Sequence, residues 1–195
     1  MNSPLWGLVL AGGRSTRMGK DKSLILHKGK PMYQLTVAKL KKSGIPVLIS
    51  CRTDQIDQFA GFSVIADTVP PKGPISGLLS AFDTHKNYAW LLLPVDMPLI
   101  TSEFIVKTLI KNRNRKKQAT VLQLQGQNFK QPLPAIYEPA SFSIVKAQFS
   151  NKNYSLKKIL DMLDVEIVVI EGEEHLLANF NFPEDWIDDH SESQA

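Results

Sequence analysis

The run Leu5-Trp6-Gly7-Leu8-Val9-Leu10-Ala11-Gly12-Gly13-Arg14-Ser15-Thr16-Arg17-Met18-Gly19-Lys20-Asp21-Lys22 decides how the chain is read. Residues 8–10 form a short, unbroken apolar run, the mark of a strand buried on both faces. Two glycines end it, and Arg14, Arg17, Lys20 and Lys22 place four cations within the next nine-residue window. Gly12 and Gly13 let the backbone approach a ligand closely, and successive N–H groups there can form a concave nest for anionic oxygens. Together these features suit a triphosphate. A P-loop would need G-x-x-x-x-G-K-[ST]. Here Gly13 to Gly19 is one residue too long, and Asp21 stands where Ser or Thr should follow the lysine. The G-x-G-x-x-G dinucleotide fingerprint is absent as well.

Beyond this run, short apolar segments alternate with longer amphipathic ones, which predicts βα units around a mostly parallel sheet. Helices are expected over residues 32–43, stopped by Gly44 and Pro46, and over 74–84, with Pro74 at the first position where a missing N–H costs nothing. A third is expected over 102–117, opened by Thr101 or Ser102 with Glu103 in its first turn, and a fourth over 155–163. Strands are expected at 47–50, 63–66, 90–93, 119–124, 134–137 and 165–170, and Pro183 is expected to open a short terminal helix. The expected class is therefore α/β, with one domain over 1–187 and a flexible acidic tail over 188–195.

Composition narrows the function classes. With 43% apolar and 22% charged residues, the 195-residue chain is not globally disordered. Its longest apolar runs, 5–11 and 88–95, fall far short of the ~20 residues a membrane span needs. No Lys or Arg precedes the first run, so it does not read as a signal peptide. The single cysteine, Cys51, excludes an internal disulfide and any multi-cysteine metal site, and a cytoplasmic setting is expected. The net charge of +4 is unevenly spread: +8 over residues 1–50, +7 over 51–160 and −11 over 161–195. A basic N-terminal part points to an anionic ligand, either nucleic acid or a phosphorylated small molecule. The basic stretch 111–117 is expected to be a solvated helix end complementing the helix dipole.

In sheets of this kind ligands bind outside the carboxyl ends of the strands. The residues to examine are then 11–22, 50–52, 67–77 and 94–98. Asp96, between Pro94 and Pro98 at the end of an apolar strand, is well placed to hold a divalent cation such as Mg²⁺, which favours one or two carboxylates plus substrate phosphates and water. Its plainer alternative is a turn-capping role. Gly73-Pro74-Ile75-Ser76-Gly77 makes a tight entry into a helix whose N-terminus could face anionic atoms. Asp67 could accept hydrogen bonds from a base or a ribose. Cys51 reads as a small buried filler, and His27, His85, His175 and His190 show no metal-ligand spacing.

These segments together resemble the molybdenum cofactor guanylyltransferase family of Rossmann-like nucleotidyltransferases. The matching stretches are LAGGRSTRMGKDK from Leu10 to Lys22, GPISG from Gly73, PVDMP from Pro94, NFNFPED from Asn179 and, more weakly, PLPAIY from Pro132. The resemblance implies a three-layer fold and transfer of GMP from GTP to the terminal phosphate of the molybdenum-bound pterin, with release of pyrophosphate. By resemblance, Leu10, Ala11, Gly12 and Gly13 form the GTP-binding loop, and Arg17 and Lys22 are phosphate-binding cations with catalytic roles. Ser50 falls where members often place an Asn against the nucleotide. Asp67 matches a nucleotide contact, Asp96 the Mg²⁺ ligand, and Asn179 and Asn181 a motif near the acceptor. Implied partners are GTP, the molybdenum-pterin cofactor and proteins of cofactor synthesis or molybdoenzyme maturation, with neither nucleic acid nor membrane. Two alternatives stay open: a relative that uses CTP or another phosphorylated acceptor, and a non-catalytic nucleotide-binding relative.

Overall fold

The computed structural model describes residues 3–12 and 21–181. In chain order the elements are β1 (Leu5–Leu10), a minimal hairpin of β2 (Leu26–His27) and β3 (Lys30–Pro31), α1 (Met32–Lys42), β4 (Val47–Cys51), β5 (Val64–Ala66), α2 (Pro74–Thr84) and β6 (Ala89–Pro94). They continue with α3 (Ser102–Phe104), β7 (Ala119–Leu124), β8 (Gln131–Tyr137), α4 (Phe142–Ser150), α5 (Leu156–Leu160) and β9 (Val165–Ile170). The expected terminal helix at Pro183, and the tail over 188–195, lie outside the described residues.

Seven strands form one sheet in the order β5-β4-β1-β6-β8-β7-β9. Every neighbouring pair is parallel except those made by β8, which runs antiparallel to both β6 and β7. Two prolines in β8, Pro132 and Pro134, would ordinarily argue against an interior strand. They are tolerated because the register with β7 breaks there, Val121 facing Ala135 while Leu122 already faces Gln131.

Strand periodicity sorts side chains into two cores. Val9, Leu91 and Leu93 pack with Met32, Val37 and Leu40 of α1 and with Phe104, Ile105 and Leu109 on one face. Leu8, Trp90 and Leu92 pack with Ile75, Leu78 and Phe82 of α2, Val145 of α4 and Ile159 of α5 on the other. The result is the three-layer architecture expected of βα units. Each such fully buried side chain contributes about 1.5–3 kcal/mol of hydrophobic stabilisation. Trp6 and Trp90, distant in sequence, are register partners across β1 and β6, and Trp6 stacks on Tyr88 at 5.3 Å.

One expected helix is corrected. The helix predicted over 102–117 closes early: α3 opens into wider i→i+5 turns over Ile105–Ile110, ending with Lys111 N–H bonded to the Val106 carbonyl at 3.0 Å. The Asn112 amide then bonds the carbonyls of Lys107 and Thr108, each at 3.0 Å, and Asn114 N–H turns to Thr120 Oγ1 at 3.1 Å. The stretch 111–117 is thus a turn, and it is not a uniformly solvated one, because Arg113 is buried in an ion pair with Glu138. The alternation of strands and helices nonetheless leaves the carboxyl ends of β1, β4, β5 and β6 at one edge of the sheet, and the loops singled out above all leave from that edge.

Candidate functional site

At that edge lies a cleft of about 650 Å³. It is lined by Leu10, Ala11, Gly12, Lys22, Ser50, Asp67, Asp96 and Asn181, drawn from segments up to 171 positions apart in the chain. The fold thereby brings together eight of the eleven site residues expected from sequence. Asn179 is exposed and does not line the cleft. Gly13 and Arg17 lie outside the described residues.

The floor is backbone. Ala11 N–H continues the β1–β4 pairing to the Ser50 carbonyl at 2.9 Å, and Asp67 N–H continues β5 to the Cys51 carbonyl at 2.8 Å. These two bonds hold the ends of β1, β4 and β5 level. Gly12 then passes so close to its neighbours that a Cβ there would stand 3.3 Å from Asp67 Oδ2 and 3.5 Å from the Arg52 nitrogen. Its glycine identity serves that close approach.

On one side, Ser50 Oγ donates to Asp67 Oδ1 at 3.0 Å. Burial raises the Asp67 pKa, opposed by that hydrogen bond and by the Arg52 guanidinium. Opposite stands the first turn of α2, entered through Gly73 at φ +84°, a left-handed conformation that favours glycine. Gly77 of α2 faces Ser50 directly, and a Cβ at this position would overlap Ser50 Oγ and stand 3.0 Å from Leu10 Cδ2. Gly77→Ala is therefore expected to destabilise the protein by about 1–3 kcal/mol through overpacking. Urea denaturation of Gly77→Ala, Ser50→Ala and the double variant checks this, because Ser50→Ala should recover most of the loss. Wild-type stability in Gly77→Ala would contradict the tight approach.

On the other side are Lys22 and Asp96. Lys22 Nζ lies 3.5 Å from Asp96 Oδ2 and donates to Asn181 Oδ1 at 2.8 Å and to the Phe180 carbonyl at 3.3 Å. Phe180 N–H in turn bonds the Asp96 carbonyl at 2.8 Å, tying the chain near residue 180 to the β6 loop. Side-chain exposures of 19% for Lys22 and 24% for Asp96 make this a partly desolvated pair that still opens to the cleft. Burial raises the Asp96 pKa, and the Lys22 ammonium pulls it back. Cys51 is fully buried, and its thiol is pushed up to about 11, chiefly by burial and then by the Asp67 charge. It is a packing residue with a protonated thiol.

Sequence reading missed a second layer behind this cleft. Arg52 Nη1 donates to the Gly12 carbonyl at 3.1 Å, and the Gln55 side chain accepts from Arg52 N–H at 3.1 Å and donates to Asp21. Asp21 and Arg52 belong to the segments that follow β1 and β4, but nothing local marks Gln55, which looks like any glutamine in a polar turn.

The family described as the MobA-like NTP transferase domain matches residues 7–168. The molybdenum cofactor biosynthesis bifunctional protein of Synechocystis sp. is 33% identical over 187 residues, covering 94% of this chain, which in turn spans only 53% of that longer protein. The molybdenum cofactor guanylyltransferase of Pseudomonas syringae pv. tomato is 29% identical over 179 residues, covering 90% of this chain and 88% of that one. Among solved structures, molybdopterin-guanine dinucleotide biosynthesis protein A from Archaeoglobus fulgidus superposes with a TM-score of 0.78 at 19% identity, covering 93% of this chain and 94% of that one. The family match spans most of the chain, and the chain belongs to the MobA-like NTP transferase family of nucleotidyltransferases.

Proposed function

We propose that this protein transfers GMP from GTP to the terminal phosphate of a molybdenum-bound pterin and releases pyrophosphate. The observation that carries the reading is the meeting of Lys22 and Asp96, 3.5 Å apart, in the same cleft as the Gly12 backbone and Asp67. The names of the relatives supply the base and the acceptor. A cleft of about 650 Å³ also lies within the roughly 300–1,000 Å³ typical of small-molecule sites.

In the proposed reaction an acceptor phosphate oxygen forms a bond to the α-phosphorus of GTP. The bond from that phosphorus to the bridging oxygen breaks in line, and pyrophosphate leaves with the electron pair. The nucleophile is already anionic, so the protein's work is positioning and charge neutralisation rather than proton abstraction. Lys22 neutralises charge that grows on the leaving oxygens, and the backbone at Gly12 orients the phosphates. Asp67 and Ser50 face the nucleoside side of the cleft. Asn181, beside Lys22, is the better placed of the two terminal asparagines to meet the acceptor.

The donor set fits a divalent cation carried in with the phosphates. Among the described residues no cluster of three or more His, Cys, Asp or Glu side chains could hold a metal alone. Asp96 offers a single half-buried carboxylate facing the cleft, the arrangement Mg²⁺ accepts when substrate oxygens and waters complete its shell. When bound there, the cation would screen the phosphate charge during transfer. Among the described residues no helix is long and apolar enough to cross a membrane.

Calorimetric titration with GTP, CTP, ATP and UTP in the presence of Mg²⁺, followed by transfer of labelled GMP to the pterin, tests the reading. GTP is expected to bind and to label the acceptor. Binding of CTP alone would replace the base assignment, and binding of none of the four would remove nucleotidyl transfer altogether.

A further inference from the structure

The geometry points to Gln55 as a positioning residue that sets Lys22 and the Gly12 backbone at a fixed separation. The inference rests on the reading of the cleft given above and extends it to a residue that does not line the cleft.

Gln55 sits in a short 3₁₀ segment, Thr53–Phe59, directly after β4, and its side chain is fully buried. A buried amide must be satisfied at both ends. Here the Oε1 end accepts from the Arg52 backbone N–H at 3.1 Å, and the Nε2 end donates to Asp21 Oδ2. Each of these two partners controls one wall of the cleft. The guanidinium of Arg52 reaches the Gly12 carbonyl at 3.1 Å and is itself braced by Asp54 at 3.0 and 3.1 Å. The second oxygen of Asp21, Oδ1, accepts from Ser23 N–H at 3.0 Å and Ser23 Oγ at 2.7 Å, which caps the turn that presents Lys22. One amide therefore links the backbone where β1 ends to the turn that carries the phosphate-binding cation. Gly12 and Asp21 flank residues 13–20, so the described residues on either side of the basic stretch are referred to the same short helix.

The chemistry selects glutamine. Its amide accepts at one end and donates at the other, as the backbone N–H and the carboxylate require. Glutamate would set oxygen against oxygen at Asp21, leucine would remove the bonds to Arg52 N–H and Asp21 Oδ2, and asparagine lacks a methylene to span them. Catalytic groups lose much of their effect when displaced by about 1 Å, so a device that holds Lys22 acts on turnover without touching substrate.

Steady-state transfer kinetics with GTP provide the test, using Gln55→Leu, Lys22→Met and the double variant in the full chain, each checked for folding by circular dichroism. Gln55→Leu is expected to lower kcat/KM for GTP at least tenfold. In the Lys22→Met background the same change should cost several-fold less, because the arm through Asp21 has no cation left to place and only the arm through Arg52 to the Gly12 backbone can still be disturbed. A merely structural role would give equal losses in both backgrounds, and that result would overturn the inference. Should Gln55→Leu fail to fold, Asp21→Asn decides by the same cycle. It keeps the size of the side chain but sets a donor against the Gln55 amide nitrogen. Full turnover in Lys22→Met would instead overturn the reading of the cleft itself, so the two failures are distinguishable.

Discussion

Asp96→Asn is expected to lower GMP-transfer turnover by about 10²–10³, the usual cost of losing one source of transition-state charge stabilisation, here the divalent cation that Asp96 would hold. The same variant should melt at or above the wild-type temperature. Both halves follow from the surroundings of Asp96. The carboxylate lies at the end of the central strand β6, faces the cleft and has its pKa raised by burial. A raised pKa means the charged form is worse solvated in the folded chain than in the unfolded one. The sign follows directly: this carboxylate's burial costs stability above its folded pKa, and the cost vanishes as pH falls below the unfolded value. Asparagine removes the cost at every pH while keeping the shape. Lys22 is not stranded in the variant, because Asn181 Oδ1 and the Phe180 carbonyl still accept from its ammonium. Lys22→Ala should show a similar loss of turnover, with the Asp96 pKa rising further once the opposing cation is gone. Steady-state rates with GTP and Mg²⁺, together with thermal melts between pH 4 and 8, check both halves. Near-normal turnover in both variants would refute these roles, and a large drop in melting temperature would show that the pair is structural.

At the other edge of the sheet, Arg113→Ala or Glu138→Ala is expected to cost about 3–5 kcal/mol, because each strands the partner's charge in the interior. For a chain of this length that corresponds to a fall in melting temperature of roughly 6–20 °C. The pair is bidentate, with Nε to Oε1 at 2.5 Å and Nη2 to Oε2 at 2.9 Å, and side-chain exposures of only 6% and 3% place it out of solvent. Ser3 completes the network: its carbonyl and hydroxyl accept from Nη2 at 3.0 and 2.8 Å, and its hydroxyl donates to Oε2 at 2.9 Å. The three residues come from the approach to β1, the turn after α3 and the end of β8, so the network joins segments 135 positions apart. Because β8 runs antiparallel, its end lies beside the start of β6, away from the cleft. Turnover per folded molecule should therefore be unchanged. Replacing both partners together, Arg113→Met with Glu138→Leu, should recover most of the lost stability, since the desolvation penalty leaves with the charges. Urea and thermal denaturation of the two singles and the double measure this. Single variants within 1 kcal/mol of wild type would mean the pair is not desolvated as described.

The contrast between these two sites shows what could be read in advance. Asp96, Asp67 and Gly12 are legible because each follows a strand and because the ends of parallel strands are where ligands collect, and Lys22 is legible as a cation of the glycine-rich run that follows β1. In sequence Arg113 is one more cation in a basic run, since its neighbours Lys111, Arg115, Lys116 and Lys117 share its chemistry. Nothing local distinguishes the one guanidinium that meets a buried glutamate 25 positions later. Gln55 escaped for the same reason, its partner Asp21 lying 34 positions earlier. The helix predicted to run to residue 117 also failed on a distant contact, because Asn114 and Arg113 turn away to Thr120 and Glu138.

Local periodicity and the placing of glycine and proline determined the seven strands of the main sheet, the helices α1, α2 and α5 and the loops that carry the site, since these depend on backbone conformations set by a few adjacent residues; the β2–β3 hairpin and α4 carried no such signal. Tertiary structure alone decided that β8 inserts antiparallel between β6 and β7, that Asn181 reaches Lys22 while Asn179 stays outside, and which polar side chains are buried. The reason is physical: a side chain's worth depends on the partner that replaces its water, and that partner is supplied by chain that is remote until the sheet has formed.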